Sequence, residues 1–290
     1  MASLATHFTA SLLLLPLGGR RLLSSSSLYL HNPSHYRSKP WYLLHPKWKN
    51  LDFYTLLIAL PILSFSHLFL FLASPGHPPT PRFAFLQQSA VVFLFWVLLI
   101  LILCSQNLDP NAGIPDTLLF VFSGIAFLID YSMNGKGVVG LGGVVYGLLG
   151  GVTVVCAACC FYLSIRPSAF FAEFMLSLAI LLKGSWVLQV GLSLYTDAFA
   201  FEGCGKISGA MTMGQVDVRC DLEEDRLRGV ALMNLVFIGH AAAVLTLSFV
   251  LFGLLCRYRS MRCGEASGPL LAGIESENML MHPIPEFEID

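Results

Sequence analysis

The sequence predicts an all-α membrane protein, built as a bundle of seven transmembrane helices, or six if the N-terminal segment is a cleaved targeting peptide. Of its 290 residues, 56% are hydrophobic and only 12% are charged, whereas soluble domains carry about 25% charged residues. Mean hydropathy is +0.71. Several apolar runs reach the roughly 20 residues that cross about 30 Å of hydrocarbon. The predicted partner is therefore the lipid bilayer. Nucleic acid is not expected, because no stripe of Lys and Arg with interleaved aromatic residues occurs.

The apolar runs set the predicted elements in order. The first is the weakest, because Pro16, two glycines and the pair Arg20-Arg21 follow its apolar centre. The fourth is short but still credible, and the other five meet the length requirement plainly. The predicted spans are residues 3–19, 53–73, 84–104, 114–131, 138–165, 169–195 and 229–256. They form a transmembrane domain of residues 1–262 with an outer loop at 196–228, followed by a disordered cytosolic tail at 263–290.

The N-terminal region allows two interpretations. Residues 1–51 contain no Asp or Glu, and Ser24–Ser27 is an unbroken serine run. An acid-poor, Ser- and Arg-containing start is typical of organelle transit peptides. We expect a retained first helix, with a plastid location as the alternative.

The basic residues of the loops predict the orientation. With the N-terminus outside and seven helices, the inside segments carry ten Lys and Arg residues and the outside segments carry six. Cytoplasmic loops hold the excess of Lys and Arg. The C-terminus is therefore predicted to be cytosolic, in an endomembrane or in the plasma membrane.

Lys183 lies near the middle of the sixth predicted span. A charged side chain at that depth costs roughly 2.5–3.5 kcal/mol on insertion scales, so a partner or a function is expected. Helical rise places Lys183 at the depth of His240, and Gln189 at the depth of Asn234, on the next antiparallel helix. We predict a polar crevice open to the outer side, with Lys183 and His240 at its floor. The alternative is interhelical hydrogen bonding worth about 0.6 kcal/mol per bond. The crevice residues are Lys183, His240, Gln189, Asn234, His67, Gln87 and Gln88.

Four cysteines lie in loops or beside a span. Cys204 and Cys220 fall in the outer loop, where either a disulfide or two free thiols is consistent with the sequence. Cys256 and Cys263 flank a basic stretch on the cytosolic side, and such juxtamembrane cysteines are candidates for palmitoylation. Their positions define two kinds of predicted modification, one on each side of the membrane.

Small residues recur at intervals that suit close helix packing. One set recurs every four residues in the fifth span, and another recurs every seven in the sixth. They predict a compact bundle, or a homodimer through a glycine stripe that faces outward. The sets are Gly143, Gly147 and Gly151; Ser177, Gly184 and Gly191; and Gly239 with Ala243.

Two segments carry a family resemblance. The pattern Gly184-Ser-Trp-x-x-Gln-x-Gly-x-x-x-Tyr195 resembles the signature helix of the transmembrane protein 45 family. The segment from Leu227 to His240 resembles the last helix of its plant branch, a domain of unknown function linked in name to viral response. The resemblance implies a seven-helix integral membrane protein. The motif residues in this chain are Gly184, Ser185, Trp186, Gln189, Gly191, Tyr195, Asn234 and His240.

The chain also departs from the pattern of that family. The resemblance implies Gln at the position of Lys183, a Trp-His pair at Arg20-Arg21, and a Glu-His pair at Gln87-Gln88. A histidine-rich turn after the fourth helix is reduced here to Asp130-Tyr-Ser-Met-Asn134. If the histidines of the family bind a metal, most of those ligands are missing from this chain.

The functional prediction is an integral membrane protein of unknown molecular activity, acting as a membrane scaffold or trafficking factor with unknown protein partners. The first alternative is a transporter or channel whose polar crevice has Lys183 and His240 at its floor. The second is a metal-dependent intramembrane hydrolase, which the sequence disfavours because the spans offer only His7, His67 and His240, on three separate helices. We therefore expect no catalytic residues, no cofactor and no metal. Cys156-x-x-Cys159 is interpreted as packing, because buried cysteines usually act as small hydrophobes.

Overall fold

The computed structural model describes residues 4–43, 50–73, 79–107, 114–133, 140–196, 203–208 and 216–266. The chain divides into two units. Residues 1–248 form the first unit, which contains the cavity, the ion pairs and the disulfide described below. Residues 249–290 form the second, of which the structure describes the end of the last helix as far as Ala266.

The all-α prediction is confirmed. Across the described ranges the chain forms seven α-helices, and six of them are long and apolar enough to cross a membrane. The first helix is not among those six. A short 3₁₀ helix, Pro33–His35, follows it. The helices are α1 Leu4–His31, α2 Leu51–Leu72, α3 Pro79–Asn107, α4 Asp116–Met133, α5 Leu141–Ile165, α6 Phe170–Tyr195 and α7 Glu223–Ala266.

α1 and α7 extend furthest beyond the apolar runs that predicted them, and α3 extends by a few residues at each end. α1 continues past residue 19 to His31, because Arg20 and Arg21 point to acidic partners on other helices instead of ending the helix. α7 begins at Glu223, six residues before the predicted span at 229, and its first turn carries Glu223, Glu224 and Asp225. Acidic residues in a first turn favour a helix N-terminus. Most of the predicted tail lies outside the described residues, and α7 continues through its first positions to Ala266.

A small antiparallel sheet precedes α7 and was not predicted. Strand β1, Cys204–Ser208, pairs with β2, Val216–Cys220, and Cys204 lies directly opposite Cys220. The two cysteines form a disulfide bond. Of the two alternatives that the sequence left open, the structure therefore has the disulfide. Val218 of β2 is buried in a cluster with Leu141 and Leu194, so this hairpin packs on the ends of α5 and α6.

Helix α6 is the most buried of the candidate spans, and α1 packs along it. A Cβ atom at Gly184 would lie 3.0 Å from Cβ of Leu14, and one at Gly191 would lie 2.7 Å from Cβ of His7. A Cβ atom at Gly18 of α1 would likewise lie 2.8 Å from Cγ of Leu181 on α6. Two of the small residues that recur every seven positions in α6, Gly184 and Gly191, therefore form the seam on which α1 packs.

The glycine stripe of α5 has a different environment. Gly147 and Gly151 are exposed, and a Cβ atom at either position would meet nothing within 4 Å. The contact between α4 and α5 instead uses Gly150, which faces the ring of Tyr131, and Gly124, which faces the ring of Phe161. The stripe thus faces away from the bundle, and a homodimer through it stays a prediction.

Helices α2 and α3 are joined by a reciprocal pair of serines. Ser64 Oγ donates to the carbonyl of Ser89 at 3.0 Å, and Ser89 Oγ donates to the carbonyl of Ser64 at 2.8 Å. The indole of Trp96 adds a hydrogen bond to the carbonyl of Leu57 at 3.1 Å. Because the bonded groups are largely buried, these hydrogen bonds fix the register of the two helices.

Candidate ligand site inside the helix bundle

The ammonium of Lys183, on α6, forms an ion pair and hydrogen bond with Oδ2 of Asp130, on α4. Each residue is only 7% exposed. The ring of Phe127, one turn before Asp130, lies 5.4 Å from the Lys183 nitrogen. An aromatic face at this distance attracts a cation. The expected neutralising partner of Lys183 therefore exists, and it comes from α4.

The two charges lie at matching depth. α4 and α6 begin at the same end of the unit, where Arg21 contacts both Phe120 and Glu173. At 1.5 Å per residue, Asp130 and Lys183 each lie about 20 Å along their helices. That depth is close to the middle of α6, so the pair is remote from either end of this helix.

The predicted pairings with α7 are wrong. Lys183 pairs with Asp130, while the ring of His240 packs edge to face on Trp186, with 5.7 Å between centroids. Gln189 donates to Ser193 on its own helix at 3.1 Å, and Asn234 is exposed. Equal depth along two helices does not specify which helix faces Lys183. Asp130 lies inside the predicted fourth span, at the start of the reduced turn, and it is the only acidic residue between positions 117 and 172. Its position as the single acidic residue of that stretch is the sequence feature that could have identified the partner of Lys183.

A cavity of about 270 Å³ reaches both Lys183 and Asp130. Its walls come from α1, α2, α3, α4, α5 and α6 and are mainly Leu, Val, Ile and Phe side chains. Along α1 it extends from Ala10 to Arg21, and along α3 from Gln88 to Ile102. At 1.5 Å per residue these stretches correspond to roughly 15–20 Å, so the cavity is elongated along the helices. It is an apolar chamber with an ion pair in its wall.

The other predicted crevice residues are distributed differently. Gln88 lines the cavity together with Lys183, whereas Gln87, its neighbour on α3, is exposed. His67 is buried in α2, and within the described residues its Nδ1 has no hydrogen-bond partner. The structure thus brings Lys183 and Gln88 to one chamber. His67, Gln87, Gln189, Asn234 and His240 are not among its described lining residues.

A second buried ion pair lies at the end where α6 begins. Arg21 of α1 donates through Nη2 to Oε2 of Glu173 at 2.9 Å, and its Nε lies 2.8 Å from Oε1. Glu173 is fully buried and also accepts a hydrogen bond from the Tyr42 hydroxyl at 3.3 Å. Arg21 Nη1 donates to the carbonyl of Pro40 at 2.9 Å. This network joins α1, α6 and the 36–43 segment, and Arg21 also lines the cavity.

Two tyrosines surround the Glu173 carboxylate. Burial, followed by the negative charge of Glu173, raises the pKa of Tyr36 to about 12. The same two causes raise the pKa of Tyr42. Both hydroxyls therefore stay protonated at neutral pH, which leaves Tyr42 able to donate to Glu173.

Arg20 makes the neighbouring connection to α2. It forms an ion pair with Asp52 and donates to Oδ1 of Asn50 and to the carbonyl of Tyr42, both at 2.7 Å. Adjacent arginines on α1 thus pair with acids on two different helices. From the sequence alone, Arg20 and Arg21 indicate only where the first apolar run ends. The acid-poor N-terminal region takes its counter-charges from α2 and α6.

The resemblance motif forms the junction between α6 and its neighbours. Trp186 is fully buried and donates through Nε1 to the carbonyl of Val145 on α5 at 3.1 Å. Its ring packs edge to face on Phe237 of α7, with 4.9 Å between centroids. Tyr195 lies 5.6 Å from the ring of His7, which contacts the Tyr146 hydroxyl at 3.2 Å. Together with Gly184 and Gly191, these residues connect α6 to α1, α5 and α7.

The predictions for the cysteines have separate outcomes. Cys156 and Cys160 are buried in a cluster with Phe120 and Leu163, and Cys159 packs against the same cluster. In the part of the chain that the structure describes, no group of three His, Cys, Asp or Glu side chains is placed to hold a metal ion.

Cys256 carries a free thiol, while the side chain of Cys263 lies outside the described residues. Palmitoylation of both stays a prediction.

Six long apolar helices in a charge-poor chain define the class as an integral membrane protein. Residues 116–253 match a family model described as "Family of unknown function (DUF716)", which is the transmembrane protein 45 family. The match covers Asp130, Lys183 and the Trp186 junction, and it leaves α1, α2 and α3 outside. A search of curated proteins finds no match.

Proposed function

We propose that this chain is a multi-pass member of the transmembrane protein 45 family that binds a lipid-soluble molecule within its helices. The cavity of about 270 Å³ with the Lys183–Asp130 pair in its wall carries the proposal. Ligand sites are typically mainly apolar chambers with a few convergent polar groups that fix orientation. The residue pattern of α6 and α7 supports assignment to the plant branch.

The ion pairs support a binding role more than a purely structural one. Replacing a buried ion pair by well-packed apolar residues is often neutral or stabilising, so packing alone does not require Lys183 and Asp130. Intramembrane ionisable residues mark ligand and ion pathways and ligand counter-ions. The transporter alternative is thus retained in a changed form, with Asp130 in place of His240. A scaffold role does not require a ligand in the cavity. The following experiment therefore separates ligand binding from a scaffold role.

Photolabelling tests occupancy of the cavity. The probe is dodecanol carrying a diazirine near the end of its chain, added to the full-length protein in detergent micelles, with labelled peptides mapped by mass spectrometry. Cavity binding predicts labels on the inward faces of α3 and α6, at residues such as Val92 and Ile180. Labels confined to exposed positions such as Phe93 and Leu247 would contradict it.

Two matched alanine substitutions make the test specific. Ala10 lines the cavity, whereas Ala90 lies on the exposed side of α3. Ala10→Leu adds three carbons to the cavity wall and is expected to reduce cavity labelling several-fold. Ala90→Leu adds the same three carbons elsewhere and is expected to leave cavity labelling unchanged. Equal labelling of both variants would leave the scaffold role as the better explanation.

A further inference from the structure

Lys183 combines a primary amine with an apolar chamber and a fixed carboxylate. Its side chain is 8% exposed, and both it and Asp130 line the cavity. Arg21, the other basic residue of the wall, carries a guanidinium, which does not act as an amine nucleophile. Among the described lining residues, Lys183 is therefore the one that can react with a carbonyl group as an amine.

We propose that Lys183 is the attachment site of an apolar aldehyde, which it binds as an imine with Asp130 as the counter-ion. This inference rests on the proposed function, since the aldehyde is the class of lipid-soluble molecule that the cavity holds. Lysines placed in apolar surroundings are the residues that form Schiff bases with carbonyl substrates.

The reaction balances with groups already in the cavity. Asp130 accepts a proton from the Lys183 ammonium. The neutral amine attacks the aldehyde carbon, so that a C–N bond forms and the C=O π bond breaks, and one amine proton moves to the oxygen. The resulting carbinolamine takes the proton back from Asp130 at its hydroxyl group and loses one water. The product is a positively charged iminium beside a negatively charged carboxylate. No oxidant or reductant is needed.

The charge balance explains why an ion pair suits this chemistry. Before and after the reaction the site contains one cation on the Lys183 nitrogen and one anion on Asp130, so no new charge is placed in the apolar interior. An uncompensated charge there is costly. The ring of Phe127, 5.4 Å from the Lys183 nitrogen, attracts a cation in both states.

The wall selects the class of aldehyde. The elongated chamber is lined mainly by Leu, Val, Ile and Phe side chains, which suits a linear or conjugated hydrocarbon tail. Sugar-like or phosphorylated aldehydes are excluded, because their hydroxyl and phosphate groups would lie against apolar residues such as Leu99 and Phe95 without hydrogen-bond partners.

Reductive trapping tests the inference. The full-length protein in micelles is incubated with dodecanal and cyanoborohydride, which converts the iminium to a stable secondary amine. Peptide mass spectrometry then locates the added dodecyl group. The expected result is near-stoichiometric modification of Lys183, faster than modification of the loop residue Lys39. Modification of Lys183 no faster than that of Lys39 would overturn the proposal.

Three variants extend the test, and Lys183→Arg keeps it independent of folding because it retains a cation beside Asp130. Lys183→Arg retains the cation beside Asp130 and cannot form the imine, so labelling at this site is expected to disappear while thermal stability is kept. Lys39→Arg is the matched control and is expected to leave labelling at Lys183 unchanged. Asp130→Asn is expected to lower the trapping rate by at least about tenfold, because it removes the counter-ion. An unchanged rate in Asp130→Asn would contradict the role of Asp130.

The outcome with dodecanol separates this inference from the proposed function. If the diazirine-bearing dodecanol labels the cavity and dodecanal leaves Lys183 unmodified, binding in the cavity stands and imine formation is rejected. If neither probe reaches the cavity, both are rejected.

Discussion

Gly191 of α6 lies directly against His7 of α1, so that a Cβ atom at position 191 would be 2.7 Å from the Cβ of His7. A contact this short leaves no room for a side chain on Gly191. The close contact of the two helices at this position therefore requires a residue without a side chain.

Gly191→Ala is accordingly expected to lower the thermal stability of the protein in micelles. The added methyl group must displace α1, and overpacking of this kind costs about 1–3 kcal/mol. Gly147→Ala is the matched control, because a Cβ atom there meets nothing within 4 Å. In a helix interior alanine is favoured over glycine by up to about 1 kcal/mol, so the control should be neutral or stabilising. Equal destabilisation by both substitutions would argue against the α1–α6 seam.

The Lys183–Asp130 pair makes a prediction about additivity. Removing one partner of a buried ion pair costs about 3–5 kcal/mol, because the remaining charge is left uncompensated. Lys183→Gln and Asp130→Asn should each destabilise the protein more than the double substitution does. A double-mutant cycle from unfolding in micelles measures this difference. Additive single effects would show that the two side chains do not interact.

Adjacent arginines on α1 are expected to differ in their contributions. The side chains of Arg21 and Glu173 are 10% and 0% exposed, whereas those of Arg20 and Asp52 are 18% and 19% exposed. Removing one member of an ion pair leaves the other charge without compensation, and this costs more free energy of unfolding where the pair is more buried. Arg21→Gln should therefore lower the unfolding temperature more than Arg20→Gln does. Differential scanning fluorimetry of the two variants in the same detergent makes the comparison, and the reverse order would be inconsistent with the buried network around Glu173.

The disulfide links residues separated by 16 positions. A crosslink that closes a loop of about 15 residues stabilises by about 3 kcal/mol in the chain-entropy account. Reduction, or the double substitution of Cys204 and Cys220 by Ser, should therefore make the chain between residues 204 and 220 much more sensitive to protease. Cleavage sites in the helices should change little, because the crosslink acts on the hairpin alone. Maleimide labelling of these cysteines in unreduced, denatured protein would contradict the bond.

Composition and apolar run length were sufficient to predict the helices, because the hydrocarbon core sets a minimum length for an apolar span. They were not sufficient to predict the end of α1 or the beginning of α7. The paired arginines continue α1 beyond its apolar run, and an acidic first turn begins α7 before its apolar run. The seam of Gly184 and Gly191 could be found from the spacing of these residues alone. The partner of Lys183 could not, since sequence spacing fixes depth along a helix and does not specify which faces meet.

The hairpin shows a different limit. Its strands are short, and only the cysteines at their ends indicated that the two segments lie together. The cavity also could not be predicted from the sequence, because its walls come from six helices that are distant from one another in the chain. A polar crevice was predicted from polar residues alone, whereas the chamber consists mostly of apolar residues that any membrane helix contains.

The separation of the paired charges along the chain sets an order for biogenesis. Arg21 precedes Glu173 by 152 residues, and Asp130 precedes Lys183 by 53. During translation each first partner is synthesised before its counter-charge. Arg21 and Asp130 are therefore without these ion-pair partners until α6 has been made. On this account the synthesis of α6 completes both buried pairs.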